Sequence, residues 1–236
     1  DARVRRLAGA LRAAGVGAGD RVAILSENRI EYLELEIAAA RLGAIVACLN
    51  WRLADDELVH CIRLVTPTMV VVSPRHSPTL ARLAHDVGCV VTLGDDFERR
   101  CAAASADDAL EPPDPESGLV ILYTSGTTGL PKGALISQRA MIARAQVFVG
   151  DFGVSPDEVF VAWSPLFHMA ATDHALATLM MGGLVVVHDG LDVDRLCELM
   201  TRERPNWLVA MPGMIEPLID ALKAHRGPLR SPKVVG

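Results

Sequence analysis

Short continuous apolar runs, separated by segments of helical character, constrain the fold of this chain more than any other feature. In the first 93 residues such runs occur at 21–25, 44–49, 69–72 and 89–93. An apolar run without polar alternation is typical of a strand that is buried on both faces. When such strands alternate with helices, they form a mostly parallel sheet that helices cover on both faces. We therefore predict an α/β fold.

The segments around these strands have the spacing of amphipathic helices. Helices are predicted at 2–14, 29–42, 55–65 and 77–87. We expect the second helix to bury one apolar stripe, formed by Ile30, Leu33, Ile37 and Ala40. Asp55 or Asp56 is the expected N-cap of the third helix, because a carboxylate oxygen accepts hydrogen bonds from amides that have no helical partner.

Residues 94–117 interrupt this alternation. They contain eight acidic and two basic residues, which accounts for the net charge of −6 of the whole chain. Prolines cluster at 111–115. Such a composition is typical of a solvated linker, and we predict one here, with no function of its own. Because the chain has no large cluster of basic residues, nucleic acid and anionic membrane surfaces are excluded as main partners.

The alternation resumes after residue 117. Strands are predicted at 119–123, 134–136, 158–163, 184–187 and 207–210, and helices at 138–149, 172–181, 192–203 and 212–223. Residues 233–236 resemble the beginning of a further strand. The chain also begins inside a helical pattern, so we expect it to be a piece of a longer protein.

Cysteine usage and hydropathy bear on the cellular compartment. The five cysteines are odd in number and form no C-x-x-C pair, which favours free thiols in a reducing compartment, the cytoplasm. The uncharged stretch at 175–187 is too short to cross a bilayer, so no transmembrane segment is predicted.

The segment that carries chemistry runs from Thr124 to Gly133, with the sequence Thr-Ser-Gly-Thr-Thr-Gly-Leu-Pro-Lys-Gly. Its glycines allow successive backbone amides to converge on an anion. Its hydroxyls add neutral donors, and Lys132 supplies a compact cation that suits phosphate oxygens. Pro131 restricts the backbone directly before that lysine. This combination predicts a polyphosphate-binding loop.

Two common nucleotide-binding patterns do not fit. The G-x-x-x-x-G-K-[ST] loop would need glycine where Pro131 stands and a magnesium-binding hydroxyl where Gly133 stands. The glycines at 15–19 precede a predicted strand, whereas a dinucleotide fingerprint follows one.

The sequence Tyr-Thr-Ser-Gly-Thr-Thr-Gly-Leu-Pro-Lys-Gly at 123–133 resembles the phosphate loop of the AMP-forming adenylating superfamily. This superfamily contains acyl-CoA synthetases, adenylation domains of peptide synthetases and luciferases. Residues 20–28 and 42–45 are similar to its early strand–helix–strand unit, and Ser-Pro-Leu-Phe-His at 164–168 to its second substrate-site motif. The resemblance thus extends over nearly the whole chain.

The resemblance implies an incomplete large N-terminal AMP-binding domain with two stacked sheet subdomains. Its parts would be an α/β region at 1–93, the acidic linker at 94–117, and the phosphate-loop and acyl-pocket region at 118–236. The family's later adenylate and ribose motifs and its small C-terminal domain with a catalytic lysine are absent from these residues. We expect the isolated chain to be inactive.

The resemblance also implies a two-step reaction. ATP, with Mg²⁺ carried by the nucleotide, reacts with a small carboxylate to form an acyl adenylate and pyrophosphate. A thiol, usually that of coenzyme A, then displaces AMP. The function implied is therefore an acid–CoA ligase that acts on a fatty or aryl acid. A second copy of the chain, in a homodimer, completes the expected partners.

Site residues follow from the same resemblance. The β- and γ-phosphates would be bound by Thr124, Ser125, Gly126, Thr127, Thr128 and Gly129, with Lys132 nearby. The acyl substrate would contact His168, Met169, Ala170, Ala171 and Thr172. Lys132 and His168 are the predicted catalytic residues, and His168 would shape the pocket and donate a hydrogen bond rather than transfer a proton.

Two other functions remain open. One is an amino-acid adenylation module, although such modules place aspartate where this chain has His168, which favours an acid without an α-amino group. The other is a relative that binds acyl or phosphate groups without catalysis. Asp173 would either cap its helix or face a cationic or hydroxylated acyl tail. With His168 and His174 it could suggest a metal site, but the family has none there, and we predict no metal.

Overall fold

The computed structural model describes residues 1–106, 113–124, 129–203, 205–211, 213–224 and 234–235. The chain divides into two units, Asp1–Met141 and Ile142–Gly236, called unit 1 and unit 2 below. The boundary between them therefore lies after residue 141. The sequence-based division at 93 and 117 stays a prediction about the complete domain.

Unit 1 is organised around a sheet with the strand order β4-β3-β1-β2-β5-β6. These strands are β1 (Arg21–Leu25), β2 (Ile45–Cys48), β3 (Met69–Val72), β4 (Val90–Thr92), β5 (Gly118–Thr124) and β6 (Lys132–Ser137). The first five run parallel, and β6 pairs antiparallel with β5. The central strands β2 and β3 are buried at every residue. The prediction of a mostly parallel sheet is confirmed.

Helices cover both faces of this sheet. They are α1 (Ala2–Ala13), α2 (Ile30–Leu42), α3 (Asp55–Val65), α4 (Ser77–Arg82) and α5 (Asp95–Ala103). Val70 and Val72 pack in one core cluster with residues of α3 and α4. Met69 and Val71, which alternate with them, instead line a small cavity with residues of α1 and α5. The two-residue period of the strand thus divides its side chains between two helical layers.

The predicted apolar stripe of α2 is buried only in part. Leu33 is buried, whereas Ile30 is 64% exposed, and the buried residues are Tyr32, Leu33, Leu35, Glu36, Ala38, Ala39 and Leu42. Because α2 packs against α1 as well as β2 and β5, its buried surface is wider than one apolar stripe. Small alanines there let the neighbouring elements approach closely.

The predicted cap of α3 is also wrong. The helix begins after Ala54, whose amide donates to Glu57 Oε2 at 2.9 Å. Asp55 and Asp56 lie in the first turn instead, where their negative charges interact favourably with the helix N-terminus.

Part of the predicted linker is a helix. Residues 95–103 form α5, which buries Phe97 and Cys101 against the rest of unit 1. The negative charges of the acidic residues in its first turn interact favourably with the N-terminus of the helix. Only two apolar side chains mark its buried face, so the acidic composition concealed the helical spacing. Of the other predicted linker residues, 107–112 lie outside the described residues, whereas 104–106 and 113–117 are described and form neither helix nor strand.

Unit 2 contains a parallel sheet with the order β10-β9-β7-β8. Its strands are β7 (Val159–Ala162), β8 (Leu184–Val187), β9 (Trp207–Leu208) and β10 (Val234–Val235). Helix α6 (Gln138–Phe152) contains the boundary between the units, and α7 (Met169–Met180), α8 (Val193–Arg202) and α9 (Ile215–Ala224) follow. In the described parts of both units, no helix is long and apolar enough to cross a membrane.

Candidate functional site

The candidate phosphate loop connects two antiparallel strands. Strand β5 pairs with β6 as far as Thr124, which lies opposite Lys132. The seven residues 125–131 are therefore a hairpin connection. The sequence predicted Thr124 and Lys132 to lie in the loop, whereas the structure places them at the ends of its two strands. Because directly opposite residues point to the same face of a sheet, the side chains of Thr124 and Lys132 leave the sheet on the same face.

The predicted phosphate-binding residues are only partly described. Ser125, Gly126, Thr127 and Thr128 lie outside the described residues. Thr124 and Lys132 are exposed, as a group that binds an incoming anion requires. Gly129 has a φ of +107°, a backbone conformation that residues with a Cβ atom rarely adopt. The backbone conformation by itself therefore favours glycine at position 129.

Residues on both sides of the hairpin connection are hydrogen bonded to α3. The hydroxyl of Tyr123 donates to the carbonyl of Cys61 at 3.0 Å. At the other end, Nε2 of His60 is 3.1 Å from the carbonyl oxygen of Pro131. Burial raises the pKa of the Tyr123 phenol well above its usual value, so Tyr123 retains its proton as a donor. The sequence analysis missed His60, because nothing in its local pattern distinguishes it from an ordinary helical residue.

The second candidate region surrounds the N-terminus of α7 in unit 2. His168 is the N-cap residue, with extended backbone angles of φ −109° and ψ 143°. Its side chain is exposed, and its ring centroid is 4.6 Å from that of Phe167. Its carbonyl accepts from the amides of Ala171 and Thr172. The predicted helix started at 172, so α7 begins three residues earlier than predicted and includes most of the proposed acyl-contact residues.

The five predicted acyl-contact residues do not share one surface. His168 and Ala170 are exposed and Met169 is half-buried, whereas Ala171 and Thr172 are buried. The hydroxyl of Thr172 donates to the carbonyl of Leu166 at 2.6 Å, so it fixes the turn before the helix. A helix of 3.6 residues per turn necessarily directs such consecutive residues in different directions.

Asp173 does not have the predicted capping role. It lies inside α7 and is not its cap, which is His168. Its buried Oδ2 accepts a hydrogen bond from Nε of Arg144 on α6 at 2.9 Å. Burial raises the pKa of Asp173, although the hydrogen bond from Arg144 and the charge of that residue oppose the shift. This carboxylate therefore has an ionic partner within unit 2, and its contact with a substrate tail stays a prediction.

His174 belongs to the core of unit 2. Its ring centroid lies 4.4 Å from that of Phe160 and 4.5 Å from that of Trp207. Its Nε2 is 3.7 Å from Oε1 of the buried Glu158. Among the residues that the structure describes, no three His, Cys, Asp or Glu side chains form a group that could hold a metal ion. The packing of His174 is that of an aromatic core residue.

Comparison with known proteins identifies relatives along nearly the whole chain. Residues 1–236 match the family described as AMP-binding enzyme. The feruloyl-CoA synthase of Amycolatopsis sp is 36% identical over 228 residues, which are 94% of this chain and 44% of that protein. The indoleacetate–CoA ligase of Aromatoleum aromaticum is 32% identical over 243 residues, 98% of this chain and 48% of that protein. The chain thus spans about half the length of the curated relatives it matches.

Solved structures agree with these relatives in fold. A putative long-chain-fatty-acid CoA ligase from Rhodopseudomonas palustris superposes with a TM-score of 0.84 at 29% identity, over 93% of this chain and 57% of that one. The inhibitor-bound N-terminal domain of FACL13 from Mycobacterium tuberculosis gives 0.85 at 27% identity, over 92% and 56%. ATP-bound MatB from Rhodopseudomonas palustris gives 0.82 at 31% identity, over 92% and 44%. The phosphate-loop sequence, the two parallel sheets and the family match over residues 1–236 lead to one conclusion: the chain belongs to the AMP-binding enzyme family.

Proposed function

We propose that this chain is the N-terminal part of an AMP-forming acid–CoA ligase. The observation that carries the proposal is the pair formed by Thr124 and Lys132, exposed and opposite each other where the hairpin connection begins and ends. The sequence between them is that of a phosphate loop. A cation and a hydroxyl at the ends of a glycine-rich connection suit a polyphosphate better than an ordinary surface turn.

In the proposed reaction, the carboxylate and the triphosphate of ATP are both anions, so their repulsion is the main obstacle. The backbone amides and hydroxyls of residues 124–129 would bind the β- and γ-phosphates, and Lys132 would neutralise charge on the leaving pyrophosphate. A carboxylate oxygen then attacks the α-phosphorus as the bond to pyrophosphate breaks. Positioning and electrostatic stabilisation supply most of the rate enhancement in such transfers. Mg²⁺ enters with the nucleotide as part of the substrate.

The acyl group would lie beside the N-terminus of α7. There the exposed His168 would donate a hydrogen bond to the substrate, while Met169, Ala170, Ala171 and Thr172 define the surrounding backbone. A histidine at this position carries no fixed negative charge to pair with an α-amino group, which supports an acid without one. The names of the relatives include aryl and fatty acids, and we propose a substrate of this class. The thiol of coenzyme A would then displace AMP.

The proposed location is the cytoplasm. The cysteines at 48, 61, 89, 101 and 197 are all free thiols, and four of them are buried. Such usage is typical of a reducing compartment. A homodimer stays a prediction.

The experiment that tests the proposal is ATP–pyrophosphate exchange by the protein that contains this chain together with the segments that its relatives possess. We expect Lys132→Ala to slow exchange roughly 100-fold, because the loss of one group that stabilises developing charge typically has an effect of this size. The KM of the carboxylate should change little. Lys223→Ala is the matched control, because Lys223 is an exposed lysine on α9 and should leave exchange unchanged.

A panel of different carboxylic acids, tested as substrates in the same exchange assay, distinguishes the candidate functions. Exchange with aryl or fatty acids supports the ligase, and exchange with amino acids alone supports an amino-acid adenylation module. Nucleotide binding without exchange on any acid supports a non-catalytic relative. Full activity of the Lys132→Ala protein would contradict the role given to Lys132.

A further inference from the structure

We propose that helix α3 positions the phosphate loop, with His60 as a positioning residue. Two hydrogen bonds connect α3 to the described stems of the hairpin, one from Tyr123 to the Cys61 carbonyl and one between His60 and the Pro131 carbonyl. Two consecutive helical residues thus hold points on both sides of the segment that carries the motif. The kinetic part of this inference rests on the proposed function, whereas the structural part does not.

The direction of the His60 bond follows from its partner. The oxygen of Pro131 can only accept, so Nε2 of His60 must carry the proton. Both the neutral Nε2–H tautomer and the imidazolium ion satisfy this requirement.

Pro131 is a buried residue whose carbonyl oxygen contacts His60. Backbone carbonyl groups in buried positions are generally paired with a hydrogen-bond donor. Proline also contributes no amide of its own to a ladder, and the pairing of β5 with β6 begins only at the next residue, Lys132. The imidazole of His60 therefore supplies a bond at the one residue that separates the loop from its second strand.

Tyr123 fixes the opposite stem. Its ring packs in the core cluster that contains Leu58 and Ile62 of α3, and its hydroxyl donates to the Cys61 carbonyl. A buried tyrosine hydroxyl without a partner would be costly, which ties the end of β5 to this helix. The next residue is Thr124, one of the proposed phosphate ligands.

Close packing adds a third connection. A Cβ atom at Gly133 would lie 3.0 Å from Cγ2 of Ile121, 3.6 Å from Cδ2 of Leu64 on α3 and 3.8 Å from Cε1 of Tyr123. The start of β6 therefore lies directly against both α3 and β5. These contacts hold the two stems that carry Thr124 and Lys132, and groups that are fixed in advance stabilise developing charge more effectively.

The test compares variants of the protein that contains this chain, by hydrogen exchange and by ATP–pyrophosphate exchange. His60→Phe keeps a ring but loses the donor, and His60→Gln keeps an N–H donor at a similar reach. Arg63→Ala is the matched control, because Arg63 is exposed on the same helix and contacts the Ala84 carbonyl instead.

For His60→Phe we expect the amides of residues 129, 130, 132 and 133 to exchange roughly tenfold faster, because one hydrogen bond is lost, while the exchange of the β1 amides is unchanged. Pyrophosphate exchange should slow about tenfold because ATP is positioned less well, and the KM of the carboxylate should stay unchanged. His60→Gln should recover most of both effects, because it restores an N–H donor.

Three results would overturn the inference. They are unchanged exchange at 129–133 in His60→Phe, equal acceleration in every strand, and no recovery in His60→Gln. If His60→Phe does not fold, Tyr123→Phe removes only the bond to Cys61, and faster exchange confined to 122–133 is expected from it. Local acceleration in a protein that shows no pyrophosphate exchange would contradict the proposed function and still support the role of α3.

Discussion

At the scale of single residues, the ion pair between the buried Asp173 and the half-exposed Arg144 shows how burial and charge have opposite effects on a pKa. Asp173 is 1% exposed, whereas the side chain of Arg144 is 55% exposed and lies over the ring of Phe148. Burial raises the pKa of Asp173 more than Arg144 lowers it. The native carboxyl group therefore binds its proton more tightly than the unfolded one. Between the two pKa values, the free energy of unfolding falls as pH rises.

This asymmetry predicts different outcomes for the two partners. Asp173→Asn should change the free energy of unfolding by less than about 1 kcal/mol at neutral pH, because solvent still hydrates Arg144. Arg144→Ala should cost more, about 1–3 kcal/mol, because it leaves a buried carboxylate unpaired. Urea denaturation between about pH 3 and pH 7 measures both. The stability of Asp173→Asn relative to the unaltered protein should rise with pH, and a fall would show that the native pKa is lowered.

A second residue-scale prediction concerns Gly129. Alanine at its φ of +107° should introduce strain of about 1–3 kcal/mol at the end of the proposed phosphate loop. We expect pyrophosphate exchange to fall together with stability. Gly150→Ala is the control: this glycine lies in α6 with open space around its Cβ position, so alanine should stabilise by about 0.5–1 kcal/mol. Equal effects of the two substitutions on stability would contradict the strain at Gly129.

At the scale of elements, an arginine links three helices of unit 1. Nε of Arg3 on α1 donates to Glu34 of α2 at 2.7 Å, and its terminal nitrogens donate to both carboxylate oxygens of Glu98 on α5. The hydrogen bond from Arg3 lowers the pKa of Glu98. This contribution to stability is therefore present above the unfolded pKa and is lost as pH falls through the native one. The acidic composition of α5 is thus partly explained by a specific partner.

Arg3→Lys tests this link. Lysine cannot donate to both carboxylates with the geometry of a guanidinium, so we expect a loss of about 0.5–1 kcal/mol, reduced by salt because the groups are partly exposed. Arg6→Lys on the same helix is exposed and should have no effect. Urea denaturation at low and high salt measures the difference. A loss that does not respond to salt would indicate altered packing of α1 instead.

At the scale of the whole molecule, the two units differ in how deeply their described strands are buried. Unit 1 has central strands that are buried at every residue, such as β2 and β3. In the described part of unit 2, Leu184 of β8 is 50% exposed, and the other three residues of that strand are half-buried. Fewer buried apolar contacts give a lower free energy of local opening. Unit 2 should therefore be the less stable unit of this chain.

Hydrogen exchange in increasing urea measures this difference without any substitution. We expect the amides of β7 to lose protection at lower urea concentrations than those of β1, as separate cooperative units do. Identical urea dependence in both strands would show that the chain unfolds as one unit, and the division at residue 141 would then have no thermodynamic meaning.

The amino-acid sequence alone determined the class of fold and contained the phosphate-loop motif. Strands β1, β3 and β8 have the predicted boundaries, because a continuous apolar run is a local property that every parallel strand displays. The phosphate-loop motif is likewise contiguous. Only the tertiary structure decided which face of α2 is buried and that residues 95–103 form a helix. It also decided that Lys132 ends a strand opposite Thr124 and that His60 bonds to Pro131, 71 residues away. Such contacts depend on how elements distant in sequence pack together, which local periodicity does not encode.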